Sequence, residues 1–228
     1  MEESPRIRML LGLADDALIH GHRLSEWTGH APTLEEELAL ANIALDLIGQ
    51  ARALYQATGL PEDDLAYLRD PHQFRNVLIA ELPNGDFAFT IARLLLVATA
   101  ADLAWCDAAT SDDPDLPSIA AMARNEIAYH LRHAADWLIR LGDGTDESRR
   151  RSQNAVDTLW PYTGELTAGI DRAAWLRAIE TVLERATLTH PADGWMQSGG
   201  REGRHTEHLG HLLAEMQILP RRHPGATW

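Results

Sequence analysis

The chain has 228 residues, 45% of them hydrophobic and 24% charged, which suits one globular domain with a sizeable core and excludes a disordered or low-complexity protein. A formal net charge of -14 opposes phosphate backbones and excludes nucleic acid as an expected partner, and all 20 basic residues are arginine, the cation built for bidentate anion pairing. The one cysteine, Cys106, excludes an internal disulfide and predicts a reducing, cytoplasmic setting, while the acidic opening MEESPRIR, with no secretory-type apolar region after it, predicts no leader peptide.

Helical periodicity runs through nearly the whole chain. The first helix is predicted over about 5–27, on Ile7, Leu10, Leu11, Ala14, Leu18 and Ile19. After the break GHAPT, Thr33 and Glu36 have the form of a capping box, and a second helix runs to about Thr58, ending at Gly59-Leu60-Pro61. Residues 61–82 read as one or two short helices (DDLAYLRD, then FRNVLIAEL) forming a crossover. Asp86 caps a third long helix to about Ala109, and a fourth covers about 118–141. The longest apolar stretch of the chain, Leu94 to Ala101, is short of the roughly 18 residues of a membrane span, so no membrane partner is expected. Lesser helices follow over about 147–160, 171–188 and 205–219.

Four helices of this length joined through a crossover predict an all-α, ferritin-like four-helix bundle with a helical C-terminal extension. The expectation is one domain over 1–228, with a core bundle at about 5–141 and the extension at about 146–219. The second helix carries two apolar stripes, Leu34, Leu38, Ala41, Leu45, Ile48 and Leu40, Ile43, Leu47, Ala51, Leu54; the third is apolar all round. Either a central position in the bundle or a partner protein would cover the extra faces.

A di-iron bundle needs a Glu from each of two helices and a Glu-x-x-His from each of the other two. On the second helix Asp46-Leu47-Ile48-Gly49 has a shortened carboxylate and no imidazole; on the fourth, Glu126-Ile127-Ala128-Tyr129 also lacks the histidine. The middle of the third helix has no carboxylate, and the first offers Asp16 or Glu26. The ligand count falls short, so neither catalytic residues nor a metal or cofactor site is expected in this chain. Two further sets could bind a single metal ion: Glu126, His130 and His133 on one face of the fourth helix, and His205, His208, His211 and Glu215 on the last. The alternative for both is hydrogen bonding and ion pairing. His22 and Glu26 read as a local i,i+4 pair, Cys106 as an inert buried thiol, and SGGREGR (198–204) as a connector or a weak anion site. Most of the seven tryptophans are expected in the core.

The blocks HGHRLSEWTGHAPTLEEELALANIALDLIGQARALY (20–55), FRNVLIAELPNGDFAFTIAR (74–93), YHLRHAADWLIRLGDGTDES (129–148), LWPYTGEL (159–166) and HTEHLGHLLAEMQ (205–217) carry a resemblance. In order and over nearly the whole chain, they resemble the C-subunit family of bacterial phenylacetyl-CoA 1,2-epoxidase. The resemblance implies a ferritin-like, non-catalytic structural subunit in aerobic phenylacetate degradation. Its implied partners are the catalytic A subunit, which holds the di-iron centre, a B subunit, and a reductase that uses NADPH, FAD and an iron–sulfur group; a homodimer is conceivable for the chain alone. It also implies that Asp46 and Gly49, and Glu126 and Tyr129, fill the places of two lost Glu-x-x-His motifs. Ala98 departs from the polar or acidic residue expected there. The competing reading is a self-sufficient metal-dependent oxygenase that uses Glu126, His130 and His133.

Overall fold

In the computed structural model, residues 4–226 are described, and all regular structure among them is helical. Four long helices form the bundle: α1 (Pro5–Ser25), α2 (Leu34–Ala57), α4 (Phe87–Ala108) and α5 (Leu116–Gly142), with the short α3 (Leu78–Glu81) in the connection between α2 and α4. The chain continues through α6 (Asp146–Leu159), α7 (Thr163–Leu166), α8 (Arg172–Arg185) and α9 (Glu207–Arg222). Side chains fix the helix starts. Ser4, Thr33, Asp86, Thr145, Asp171 and Thr206 each accept a hydrogen bond from an amide in the first turn of the helix that follows. At Thr33 only half of the expected capping box forms, because the Glu36 carboxylate turns away toward His133.

Short turns make α1/α2 and α4/α5 antiparallel hairpins. The start of α1 meets the end of α4 through Arg6, whose guanidinium lies 2.6 Å from Asp113 and 2.6 Å from Asp115. The end of α1 meets the start of α4, where the Trp27 indole donates to Thr90 Oγ1 at 3.0 Å. So α4 runs antiparallel to α1 and parallel to α2, which only a long crossover permits. That crossover is less helical than its sequence suggests. It holds a π-helical turn at Asp64–Leu68, a 3-10 turn at Pro71–Gln73 and the four residues of α3. The predicted helix FRNVLIAEL forms only at its end, because carboxylates take its early amides: Asp15 accepts from the Arg75 N–H, Asp16 from Val77 and Glu165 from Leu78.

The two broadly apolar helices resolve differently. α4 is covered by its own chain, with α5, α6 and α8 packed against it; the buried Trp175 indole donates to the Leu96 carbonyl at 3.1 Å. By length and composition α4 as a whole (22 residues) could cross a membrane, which corrects the estimate made from Leu94–Ala101 alone, but 67% of its 18-residue apolar window is buried inside the protein. On α2 the stripe Leu40, Ile43, Leu47, Ala51, Leu54 is core, whereas Leu34, Leu38 and Leu45 are 68%, 58% and 66% exposed. The core is continuous from Leu10 to Leu213, with Trp105, Trp160 and Trp175 inside it. Trp27 and Trp137 pack partly buried against that core, Trp195 is exposed, and Trp228 lies outside the described residues.

Candidate functional site

The place to look for chemistry is the seam between α2 and α5, where the truncated ligand motifs fall. The helices run antiparallel, and three polar pairs cross between them. The Nε2–H of His130 donates to Asp46 Oδ2 at 3.0 Å, and the Gln50 amide donates to Glu126 Oε2 at 2.8 Å. His133 Nε2 lies 3.3 Å from Glu36 Oε2 without hydrogen-bond alignment. Glu126, His130 and His133 share a face, as their spacing predicts, but each is engaged by a different residue of α2.

The electrostatics follow from burial, complete at His130 and partial at His133 and Glu126. Burial lowers the pKa of His130 below the ordinary histidine value, with Asp46 opposing it, and lowers that of His133 against the opposing charge of Glu36. Burial raises the Glu126 carboxyl above the usual carboxylate range; the Gln50 hydrogen bond works against that rise and the neighbouring Asp46 charge adds to it. The seam therefore favours neutral imidazoles at His130 and His133 and a Glu126 that ionises less readily.

At the remaining slots, Gly49 is exposed with open space where a side chain would stand, Tyr129 is 38% exposed beside the His130 and His133 rings, and Ala98 is a buried methyl. No group of three or more His, Cys, Asp or Glu side chains among the described residues is placed to hold a metal ion. The donor set does not fit a dinuclear iron centre: two slots carry no ligating atom, and the donors that remain are turned onto one another.

The last-helix set also separates. His205 points inward, with Nδ1 2.7 Å from Glu81 Oε2 and Nε2 3.1 Å from the Phe74 carbonyl, while His211 and Glu215 face solvent. The expected His22–Glu26 pair gives way to others, since Glu26 accepts from Arg23 and from Asn84. Cys106 is half-buried rather than enclosed. The glycine-rich loop does bind an anion, but an internal one: the amides of Gly199 and Arg201 donate to the carboxylate of Glu165. Its other anchor is Arg201, 2.5 Å from Asp16.

Sequence reasoning missed His20 of α1. It is 1% exposed, both ring nitrogens lack a hydrogen-bond partner, and burial with the nearby charges of Arg93 and His130 lowers its pKa well below the ordinary value. The available signal was helical spacing: Ala17 and Leu24 stand at i−3 and i+4 from His20, so the histidine shares an apolar face that points into the bundle.

Comparison with known proteins gives this geometry its context. A family model described as "Phenylacetic acid catabolic protein" matches residues 1–228. The chain is similar to the C subunit of the 1,2-phenylacetyl-CoA epoxidase of Escherichia coli (strain K12), at 44% identity over 240 residues, covering 96% of this chain and 97% of that protein.

Proposed function

This chain belongs to the phenylacetic acid catabolic protein family, and from that premise we propose that it is the catalytically silent C-type subunit of a cytoplasmic phenylacetyl-CoA 1,2-epoxidase. In this reading it pairs with the di-iron A subunit and stabilises it, and reaches the B subunit and the reductase through the complex. The observation that carries the reading is the mutual closure of the α2–α5 polar groups. A carboxylate or imidazole already paired within the chain must break that pairing before it can ligate a metal, and Gly49 and Ala98 have nothing to offer.

The exposed Leu34, Leu38 and Leu45 supply a mechanism for pairing. Three leucines on one helix face, each more than half exposed, are a cluster of the kind that marks a protein interface. Burying a leucine side chain is worth roughly 1.5–3 kcal/mol, so such a patch can anchor a lasting contact. The test is iron content and phenylacetyl-CoA turnover for the chain alone and co-expressed with an A subunit, with the B subunit, reductase and NADPH supplied. Iron and turnover that appear only with the A subunit support the proposal. Stoichiometric iron in the lone chain, lost in Glu126→Ala, would establish the metalloenzyme instead.

A further inference from the structure

Trp195 is 76% exposed, in the segment between α8 and α9, yet the backbone that displays it is pinned on both sides. On one side the Asp193 carboxylate accepts from the Trp160 indole at 3.0 Å and from the Arg172 guanidinium at 2.9 and 3.0 Å. On the other the Gln197 N–H donates to the Pro161 carbonyl at 2.7 Å, and Met196 packs onto Gly164, where an added Cβ would stand 2.8 Å from the Met196 side chain. A tryptophan held out on fixed backbone loses little freedom when it is buried by a partner, which is the profile of a binding anchor.

The same stretch of chain borders a receptor for such a group. Just beyond Gly164, the segment from Leu166 to Ile170 forms one side of a groove of about 410 Å³ between α1 and α4, half open to solvent. Leu13, Val97 and Trp105 contribute apolar walls, and Met9, 42% exposed, stands at the edge. The two strong donors of the groove, Arg201 and Gln50, are engaged by Asp16 and Glu126. The Asp107 carboxylate, by contrast, is exposed and enters no hydrogen bond or ion pair among the described residues. The groove therefore suits an apolar body that carries a donor and no acceptor.

We propose that the groove receives Trp195 of a second copy of this chain, in a two-fold dimer in which each indole enters the other's groove. Size permits it, since a cavity of about 150 Å³ accepts benzene and this groove is larger. The chemistry matches: an indole is a large apolar body whose N–H donates and accepts nothing, and Asp107 is an acceptor in want of a donor. Placement supplies the symmetry. Because knob and groove flank one short stretch, Gly164 to Ile170, two copies can exchange them about a single axis, a contact that closes at two chains instead of growing. Leu38 and Leu45 do not line the groove, so the inference stands independently of the pairing proposed for the bare face of α2.

The test is analytical sedimentation of the full chain over a range of concentrations. Wild type is expected to pass from monomer to dimer in the roughly micromolar range, with nothing larger. Trp195→Ala should weaken the dimer by about 100-fold or more, since both copies lose an anchor, and should leave thermal unfolding unchanged because the side chain is exposed. Met9→Glu, which sets a charge at the edge of the groove, should do the same, and Asp107→Leu should weaken the dimer about tenfold. A mixture of Trp195→Ala and Met9→Glu chains keeps one knob and one open groove, and should associate more tightly than either variant alone. A wild-type chain that stays monomeric at roughly 100 μM, a dimer that Trp195→Ala or Met9→Glu leaves at full strength, or growth beyond the dimer overturns the proposal.

Discussion

Asp15 on α1 and Arg69 in the crossover form an ion pair buried on every side, with the Asp15 side chain 0% exposed. The same carboxylate accepts from the Tyr55 hydroxyl at 2.6 Å and the Arg75 amide at 2.7 Å, and so holds α1, α2 and the crossover at one point. Removing one member of a buried pair leaves the other charge uncompensated, at about 3–5 kcal/mol. Asp15→Ala should lower stability to urea by that amount. The double variant Asp15→Leu/Arg69→Met should recover much of the loss. A loss below about 1 kcal/mol in the single variant would mean that water reaches the site.

The second buried pair gives a pH dependence. Both nitrogens of His205 face acceptors, Glu81 and the Phe74 carbonyl, so the geometry asks for the protonated ring. Burial opposes that charge, but the Glu81 hydrogen bond and charge outweigh it and raise the pKa above 6.5. A raised folded-state pKa adds stability that is complete below the unfolded value and lost as pH rises through the folded one. Stability measured upward from about pH 6.5 should therefore fall more steeply in wild type than in His205→Gln.

Two glycines should respond in opposite directions. A Cβ at Gly200 would stand 2.0 Å from the Asn76 carbonyl oxygen, backbone that cannot yield locally, so Gly200→Ala should destabilise by about 2 kcal/mol or more. Gly49 lies within α2 with nothing within 4 Å of the same atom. Gly49→Ala should stabilise the lone chain by about 0.5–1 kcal/mol through helix propensity. Thermal unfolding of the two variants checks both signs.

Leu38→Asp and Leu45→Asp probe the bare face of α2. Both side chains are mostly in solvent, so the isolated chain should keep its stability within about 0.5 kcal/mol. Co-purification with the A subunit should drop by at least about tenfold, the scale of one lost anchor. Undiminished recovery of the pair from both variants would move the interface elsewhere.

The long helices were legible in the sequence because apolar spacing and capping residues lie next to one another along the chain. What covers a helix was not. α2 and α4 read alike, yet Trp175 and its neighbours close over α4 from far downstream while Leu38 and Leu45 remain bare. The site shows the same limit. Spacing places Glu126, His130 and His133 on one face, but their fate depends on Gln50, Asp46 and Glu36 of α2, and a register between two helices is written in neither one alone. Likewise FRNV has helical composition and stays extended because distant carboxylates claim its amides.

The last helix also sets an order of events. Gln217 donates to the carbonyls of Ala66 and Arg69, and Arg221 to those of Tyr67, Leu68 and Arg69, across some 150 residues of chain. A polypeptide emerging N-terminus first can form the α1/α2 hairpin early, but the carbonyls of its crossover wait for α9 to be synthesised. Through most of translation the crossover is an open strap, and the final sixteen-residue helix is the buckle that completes it. Ribosome-bound chains stalled before α9 should be cut by protease near residues 62–70, and chains released after it should not.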